Sequence, residues 1–493
     1  MSVPWVNWSG SQVVRPRHLR RPTTLAELQE ILREAAGRGG RVKPVATGLS
    51  FSDILQGDDT LLEVTGLLGE ADSGVLLALE PELWRAPSPT PLVRIAAGAR
   101  IRQLNAALGR AGLAFGNLGG YDGQTLIGAI STSTHGSGLT LGPLASGVRS
   151  LDLVTADGSL MRVEPSRGLT DPAKFKRRYG SSMTLVQSDD WFFPVVVSMG
   201  CMGVIHSVTM AVSPAYRLYE RRRIRAWSEV ERELSTLAPL RSFRNYEVVI
   251  APYRRLDGDF DCLVTERNVA APDLPRMPLP KGRQAAESLT FLASTQSAVI
   301  ELMASEPRMI PAVLRAGLEA LETGTEPHID DSYLVYNVGF VNTAHVVSGE
   351  YFFPLRDGLF LRGIRGLIDV VEQNARAGIH QPSPLALRFV AGSRAPLSMT
   401  RAEPHCTVEI AIFAGFPKAA AALLSYEKRC IELGGRPHWG QIHELTGKPG
   451  WLASAYPGLE QWLRAYRYFN ARGTFNNHFT DRLGLSLPQG RAS

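Results

Sequence analysis

Twenty residues, Gly119–Gly138 (GGYDGQTLIGAISTSTHGSG), constrain this chain more than any other stretch. They hold six glycines and the hydroxyls of Thr125, Ser131, Thr132, Ser133, Thr134 and Ser137 around a single histidine, His135. With so few bulky side chains, the backbone can approach a ligand closely and aim N–H groups and hydroxyls at it. Phosphates and fused rings are the ligands that need such an approach. A plain Gly/Ser surface loop has a similar composition. Leu126, Ile127, Ala129 and Ile130 are interleaved, however, and they predict partial burial, which a linker lacks.

The chain around this stretch is long enough for a sizeable core. Its 493 residues, 44% hydrophobic and 20% charged, predict a globular protein of two or three domains. The 53 Lys and Arg are scattered and the net charge is only +6, which disfavours nucleic acid as a partner. The four cysteines, Cys201, Cys262, Cys406 and Cys430, fall in no CxxC or other ligand-like spacing. They predict buried, inert thiols in a reducing compartment, and no metal site is expected. The start, MSVPWVNWSG, lacks a basic segment followed by an apolar one, and no apolar run approaches the roughly 20 residues that span a bilayer. The expected location is cytoplasmic, with no membrane span.

Periodicity gives the organisation. Thr23 or Thr24 caps a helix to about Gly37, with Leu25, Leu28, Ile31, Leu32 and Ala35 on one face. Strands are expected at Val42–Thr47, Leu61–Val64 and Val93–Ala97, and a helix at Ile101–Ala111. Leu151, Leu153 and Thr155 alternate before an Asp157-Gly158 turn, a hairpin signal. Past Pro214 the composition shifts. Strands are expected at Arg221–Trp227, Tyr246–Pro252, Tyr333–Phe340, Leu385–Val390 and Thr407–Phe413. Helices are expected over Gln284–Leu321 (broken at Pro307 and Pro311), Leu359–Ala377 and Ala419–Leu433. The fold class is α+β. The expected division is residues 1–214, then 215–468, with 469–493 returning to the first part.

Several familiar motifs are absent: GxxxxGK[ST], GxSxG, HExxH, and a GxGxxG that follows a strand and opens a helix. The motifs that are present resemble the flavoprotein family named after vanillyl-alcohol oxidase. The blocks Val45–Asp53 (VATGLSFSD), Asn117–Gly138, Val148–Gly158 and Met199–Ile205 (MGCMGVI) carry the likeness in the first half. Asn7–Gly10, Glu350–Pro354 (EYFFP), Arg388 on its strand, His438-Trp439-Gly440 and Phe475–Leu483 resemble the sugar-lactone and alditol oxidase branch. The resemblance implies a two-lobed FAD domain and a second domain, with a mixed or antiparallel sheet, that caps the flavin. It further implies that Thr47, Gly48, Leu49, Ser50 and Phe51 form one wall of the cofactor site. Gly128, Ser131, Thr132, Thr134, His135 and Gly136 would form another. Gly203 and Ile205 would hold the adenine half, and Asn477 of the tail would join them. Small residues and hydroxyls can cradle phosphates without a lysine.

Three departures stand out. Many relatives have a histidine, bonded covalently to the flavin, where this chain has Leu49; FAD is therefore expected to be held non-covalently. The branch's Glu-x-Arg is Ala386-Leu387-Arg388, without the glutamate. Its His-Trp-Gly-Lys is His438-Trp439-Gly440-Gln441, with a neutral amide for a cation that would stabilise reduced flavin. Arg388 remains as a permanent cation on an apolar strand, which needs an anionic or polar partner. His438 is a candidate base, or else a hydrogen-bonded residue packed beside Trp439. For His135 a structural, backbone-bonding role is favoured. Glu409, on the following strand, is the candidate replacement for the missing acid.

The resemblance thus implies an oxidase or dehydrogenase that moves a hydride from an alcohol- or amine-bearing carbon of a polyol, sugar-like or specialised metabolite to FAD. Oxygen or another acceptor would take the electrons onward. A reading from another class keeps the FAD as a structural group in a non-redox catalyst or binding protein, and a third is an apo carbohydrate-binding protein.

Overall fold

The computed structural model describes residues 4–69, 74–279, 293–322, 326–337, 345–448 and 450–488. Its amino-terminal part is built on two sheets. A three-stranded parallel sheet joins His18–Arg20, Thr60–Glu63 and Val42–Val45. The helix Leu25–Gly37 precedes Val42–Val45. Thr24 and Glu27 close its first turn as a capping box, which satisfies backbone N–H groups that no helical carbonyl can reach. Leu28, Leu32 and Ala35, spaced three or four apart, are fully buried.

A six-stranded sheet follows, in the order Met183–Gln187, Leu160–Glu164, Val148–Val154, Val204–Ala211, Leu92–Ala96, Leu76–Leu77. The expected hairpin is its centre: Val154 pairs with Leu160 across the Asp157-Gly158 turn, where Gly158 takes φ +79. The Gly119–Gly138 stretch differs from a simple loop. Thr125 accepts a hydrogen bond from the Gly128 N–H at 3.2 Å and starts a short helix, Leu126–Ser131. Leu126, Ile127, Ala129 and Ile130 are its buried residues. Those are the interleaved apolar positions of the sequence, so a helix and not the loop's composition accounts for them.

The later part is one eight-stranded antiparallel sheet. The order is His328–Asp331, Arg217–Ala226, Asp261–Val269, Asn245–Ile250, Leu385–Val390, His405–Phe413, Val346–Pro354, Arg436–Pro437. One face is covered by Leu359–Arg376 and Ala419–Glu432, whose apolar sides join the strands in a second core. Two expectations change here. The strand expected at Tyr333–Phe340 is a short helix, Ser332–Tyr336, and residues 338–340 lie outside the described residues. Aromatic and β-branched propensity was outweighed there by local helical packing that buries Val335 and Tyr336. The helix expected over Gln284–Leu321 is two helices, Ala293–Ser305 and Ile310–Leu321, either side of a 3₁₀ turn at Pro307–Met309. Residues 284–292 lie outside the described residues.

The parts are laced together. The Gly138 N–H donates to the Phe389 carbonyl, and Ser137 Oγ donates to the Tyr246 carbonyl at 2.7 Å. The Phe51 N–H donates to the Gly440 carbonyl at 2.7 Å. Trp439, Tyr456, Trp462, Tyr466, Phe475 and Phe479 belong to the amino-terminal core. Trp439 Nε1 donates to the Leu397 carbonyl and Trp462 Nε1 to the Val197 carbonyl, so each buried indole N–H has a partner. Arg482 holds Asp53 through two bonds of 2.6 and 2.7 Å. The four cysteines are buried and free.

Candidate active site

A cavity of about 610 Å³ runs from the glycine-rich loops to the cap sheet. Of the residues expected at the cofactor, Thr47, Gly48, Leu49, Ser50, Gly128, Ser131, Thr132, Thr134, His135, Gly203 and Ile205 line it. Phe51, Gly136 and Asn477 do not. Phe51 is buried behind the wall. Gly136 fits against Leu118, whose carbonyl oxygen lies 2.3 Å from where a Cβ would sit. Asn477 caps the helix His478–Arg482 and reaches Cys201 Sγ. All four expected catalytic residues, Arg388, His438, Gln441 and Glu409, line the cavity.

Strand register explains the cluster. Arg388 faces Glu247 on one neighbouring strand and Thr407 on the other. Two residues earlier on the same face, Ala386 pairs with Glu409, and Glu409 pairs with Glu350. The carboxylate absent from position 386 is therefore supplied by the next strand. Glu409 Oε2 accepts from Arg388 Nη1 at 3.0 Å, and its Oε1 accepts from Ser348 Oγ at 3.2 Å. Burial opposes charge on Arg388, but Glu409, Glu247 and Glu350 outweigh it and raise its pKa further.

Sequence reasoning passed over five charged residues of the cavity: Lys43, Arg222, Glu247, Arg267 and Glu350. Glu247 pairs with Arg267 at 2.8 Å, and both line the cavity. Glu350 lies within the EYFFP block without having been singled out. Lys43 is buried and donates to the Met199 carbonyl at 2.8 Å; burial lowers its pKa. The available signal was a charge on a strand otherwise rich in apolar residues, which needs a built partner.

Glu350 lies among two histidines. Burial alone would raise its pKa; His135, His438 and Arg388 reverse that and hold it at about 2. His438 is buried and its pKa is lowered to about 4, because desolvation outweighs the pull of Glu350. Its Nδ1 accepts from the Gly440 N–H at 3.0 Å. The neutral ring therefore carries hydrogen on Nε2, which makes His438 a donor into the cluster instead of a base. The ligand atoms of His135, Glu350 and His438 all lie within 4.8 Å of one another. A protonated Nε2 on His438 leaves that group short of a metal's needs.

The cradle fits a flavin dinucleotide. Gly48 takes φ +67, and a Cβ there would lie 2.7 Å from the Trp5 ring. A Cβ at Gly203, with φ +110, would lie 2.9 Å from the Val154 carbonyl. Gln441 Oε1 is buried without a hydrogen-bond partner and lines the same space, as an acceptor reserved for a bound group would.

A glycine-walled cavity of this kind, closed by a sheet that carries an Arg–Glu pair, suits a two-lobed flavoprotein oxidoreductase. Residues 16–164 match the FAD binding domain family, and residues 208–483 match the D-arabinono-1,4-lactone oxidase family. The second match spans more than half of the chain, and the chain belongs to that family: it is an FAD-dependent oxidoreductase. It is 26% identical over 483 residues to an L-gulono-1,4-lactone dehydrogenase of Mycobacterium tuberculosis, covering 98% of this chain and 99% of that protein. It is 30% identical over 253 residues to an alditol oxidase of Streptomyces sp., covering 51% of this chain and 49% of that protein. A solvent-stable cholesterol oxidase shares the fold, with a TM-score of 0.74 at 16% identity over 98% of this chain and 97% of that one. Among the described residues no helix is long and apolar enough to cross a membrane.

Proposed function

We propose that the protein oxidises a CH–OH group of a sugar-like or related small molecule to a carbonyl, with FAD held non-covalently. The observation that carries this is the meeting of Arg388, Glu409, Glu350 and His438 in the same cavity as the glycine walls. When bound, FAD supplies a two-electron acceptor for the substrate's hydride. Thr47, Gly48, Ser50, Gly128, Ser131, Thr132 and Thr134 would hold it, with Gly203 and Ile205 on the far side. Leu49 lines the cavity without a nucleophilic atom, which supports non-covalent attachment.

The chain's own residues handle position and protons. Arg388, a fixed cation, orients the substrate oxygen. Glu409 accepts the hydroxyl proton at a carboxylate oxygen. His438 donates from Nε2, and Gln441 offers an uncharged acceptor. Residues 1–214 with 469–493 would form the FAD-holding part and 215–468 the cap, with the helix Leu459–Phe469 across that last boundary packed into the first core.

The test is anaerobic mixing of the yellow holoenzyme with polyols, aldonolactones and simple alcohols. Loss of the flavin absorbance near its long-wavelength maximum is the expected result. A flavin that stays oxidised with every alcohol would favour the structural-FAD reading, and re-admission of oxygen reads the acceptor.

A further inference from the structure

The face of the cap sheet that lines the cavity changes character over one pleat repeat. Thr265, Glu247 and Arg388 are cross-strand neighbours and form a polar rung. Two residues further along each strand, about 7 Å away, the next rung on the same face is Leu263, Val249 and Ala386, apolar until it reaches Glu409, which pairs with Ala386. The helix Ile310–Leu321 packs against the strands Arg217–Ala226 and Asp261–Val269. With Ala293–Ser305 it adds Ile300, Met303, Leu314 and Leu318 to the cavity wall. The cavity therefore has a charged end at the Arg388–Glu409 pair and an arm whose floor and roof are hydrocarbon.

A free sugar or polyol has a hydroxyl on nearly every carbon. Seated in this arm, each hydroxyl would leave water without a partner and weaken binding. A hydrocarbon group gains from the same transfer, by about 0.8 kcal/mol per methylene. Resting on the alcohol-oxidation reading above, we infer that the substrate is an amphipathic alcohol. Its carbinol carbon lies at the Arg388–Glu409 end and a hydrocarbon group of several carbons fills the arm between Val249, Leu263 and the two helices. Oxidation would break the carbinol C–H and O–H bonds; bound FAD would supply the acceptor for the hydride and Glu409 the acceptor for the proton, leaving a carbonyl compound with its hydrocarbon group intact.

The test uses the flavin-loaded full chain and 1,2-diols of four to ten carbons, titrated anaerobically against xylitol. Two signals are followed: perturbation of the oxidised flavin spectrum, which reads binding, and bleaching, which reads oxidation. The dissociation constant is expected to fall about fourfold per added methylene until the arm is full, the fold-change equivalent of about 0.8 kcal/mol. Ile300→Glu, which places a charge in the arm, is expected to flatten that dependence. Met303→Gln serves the same purpose with a neutral polar group if Ile300→Glu loses its flavin. A dissociation constant that ignores chain length, or tighter binding of xylitol than of the longer diols, overturns the inference. Chain-length-dependent binding without bleaching by any diol upholds the arm and sinks the oxidation reading instead.

Discussion

His135 Nε2 stands 3.2 Å from Glu350 Oε1, while His135 Nδ1 lies 2.8 Å from the Gly136 carbonyl oxygen. A carbonyl only accepts, so Nδ1 carries hydrogen. In a neutral ring Nε2 would then be bare and would face a bare carboxylate oxygen. A proton therefore sits between the two residues, and Glu350 Oε1 has a hydrogen-bond partner only through it. His135 thus does more than bond its own backbone.

Glu350→Gln removes one half of this buried pair. The pKa of Glu350 is depressed to about 2 from 4.5. Its contribution to stability is therefore present above pH 4.5 and lost as the pH falls from 4.5 toward 2. The variant is expected to lose roughly 3–5 kcal/mol at neutral pH and to lack the wild-type decline in that acid window. Chemical denaturation at pH 7 and at pH 3 measures both. Equal stability of variant and wild type at pH 7 would show that no charge is paired there.

The Ala386–Glu409 pairing predicts a transplant. Glu409→Gln is expected to lower the rate of flavin reduction by a factor of about 10²–10⁴, with the bound flavin retained. In the double variant Glu409→Ala with Ala386→Glu, a carboxylate returns from the adjacent strand on the same face. Partial recovery is expected in stopped-flow reduction. A Glu409→Gln enzyme that reduces at the wild-type rate rules out the proton-acceptor role.

Three buried histidines contribute to the protein's acid sensitivity. Desolvation lowers His405 and His438 to about 4 and His443 to about 3, against an ordinary 6.5. Each is neutral when folded and takes up a proton on unfolding below pH 6.5. Stability is thus full above pH 6.5 and falls as the pH drops from 6.5 toward 4. The melting temperature is expected to decline steadily across that range. In His443→Gln the decline should be shallower, because one of the three protons no longer counts.

Leu49 predicts how the cofactor leaves. Acid precipitation of the yellow protein is expected to release the colour into the supernatant. Colour retained in the pellet would mean that another residue forms the flavin bond.

Gly48→Ala tests the cradle. The substitution adds a Cβ 2.7 Å from the Trp5 ring at a backbone φ of +67. It is expected to cost about 1–3 kcal/mol of stability and to yield protein with less bound flavin per chain. Unchanged flavin content and melting temperature would show that this loop is not held as described.

Much of the fold could be read from local pattern. The Thr24 cap, the Asp157-Gly158 hairpin and the alternating Leu385–Val390 strand each depend on residues near one another in the chain. The helix inside the glycine-rich stretch was missed because its glycine and β-branched content argues against helix, and tertiary burial of four apolar residues overrides that propensity. Residues 333–336 failed in the opposite sense. In the site, residues attached to a recognisable motif were legible. Glu247, Arg267 and Lys43 were not, and neither was Glu350 although it sits in a recognised block, because each is defined by a partner outside its own segment.

By itself the sequence determined the small-residue walls, the α+β class and the residue types available for chemistry, since these follow from composition and short-range spacing. Tertiary structure alone decided that Glu409 stands across from Ala386, that His438 Nδ1 accepts from the Gly440 N–H, and that the cavity carries an apolar arm. Cross-strand register and the Gly440 backbone bond decide those three features. Neither is written in any local segment, because each fixes the relation between residues that only the folded chain brings together.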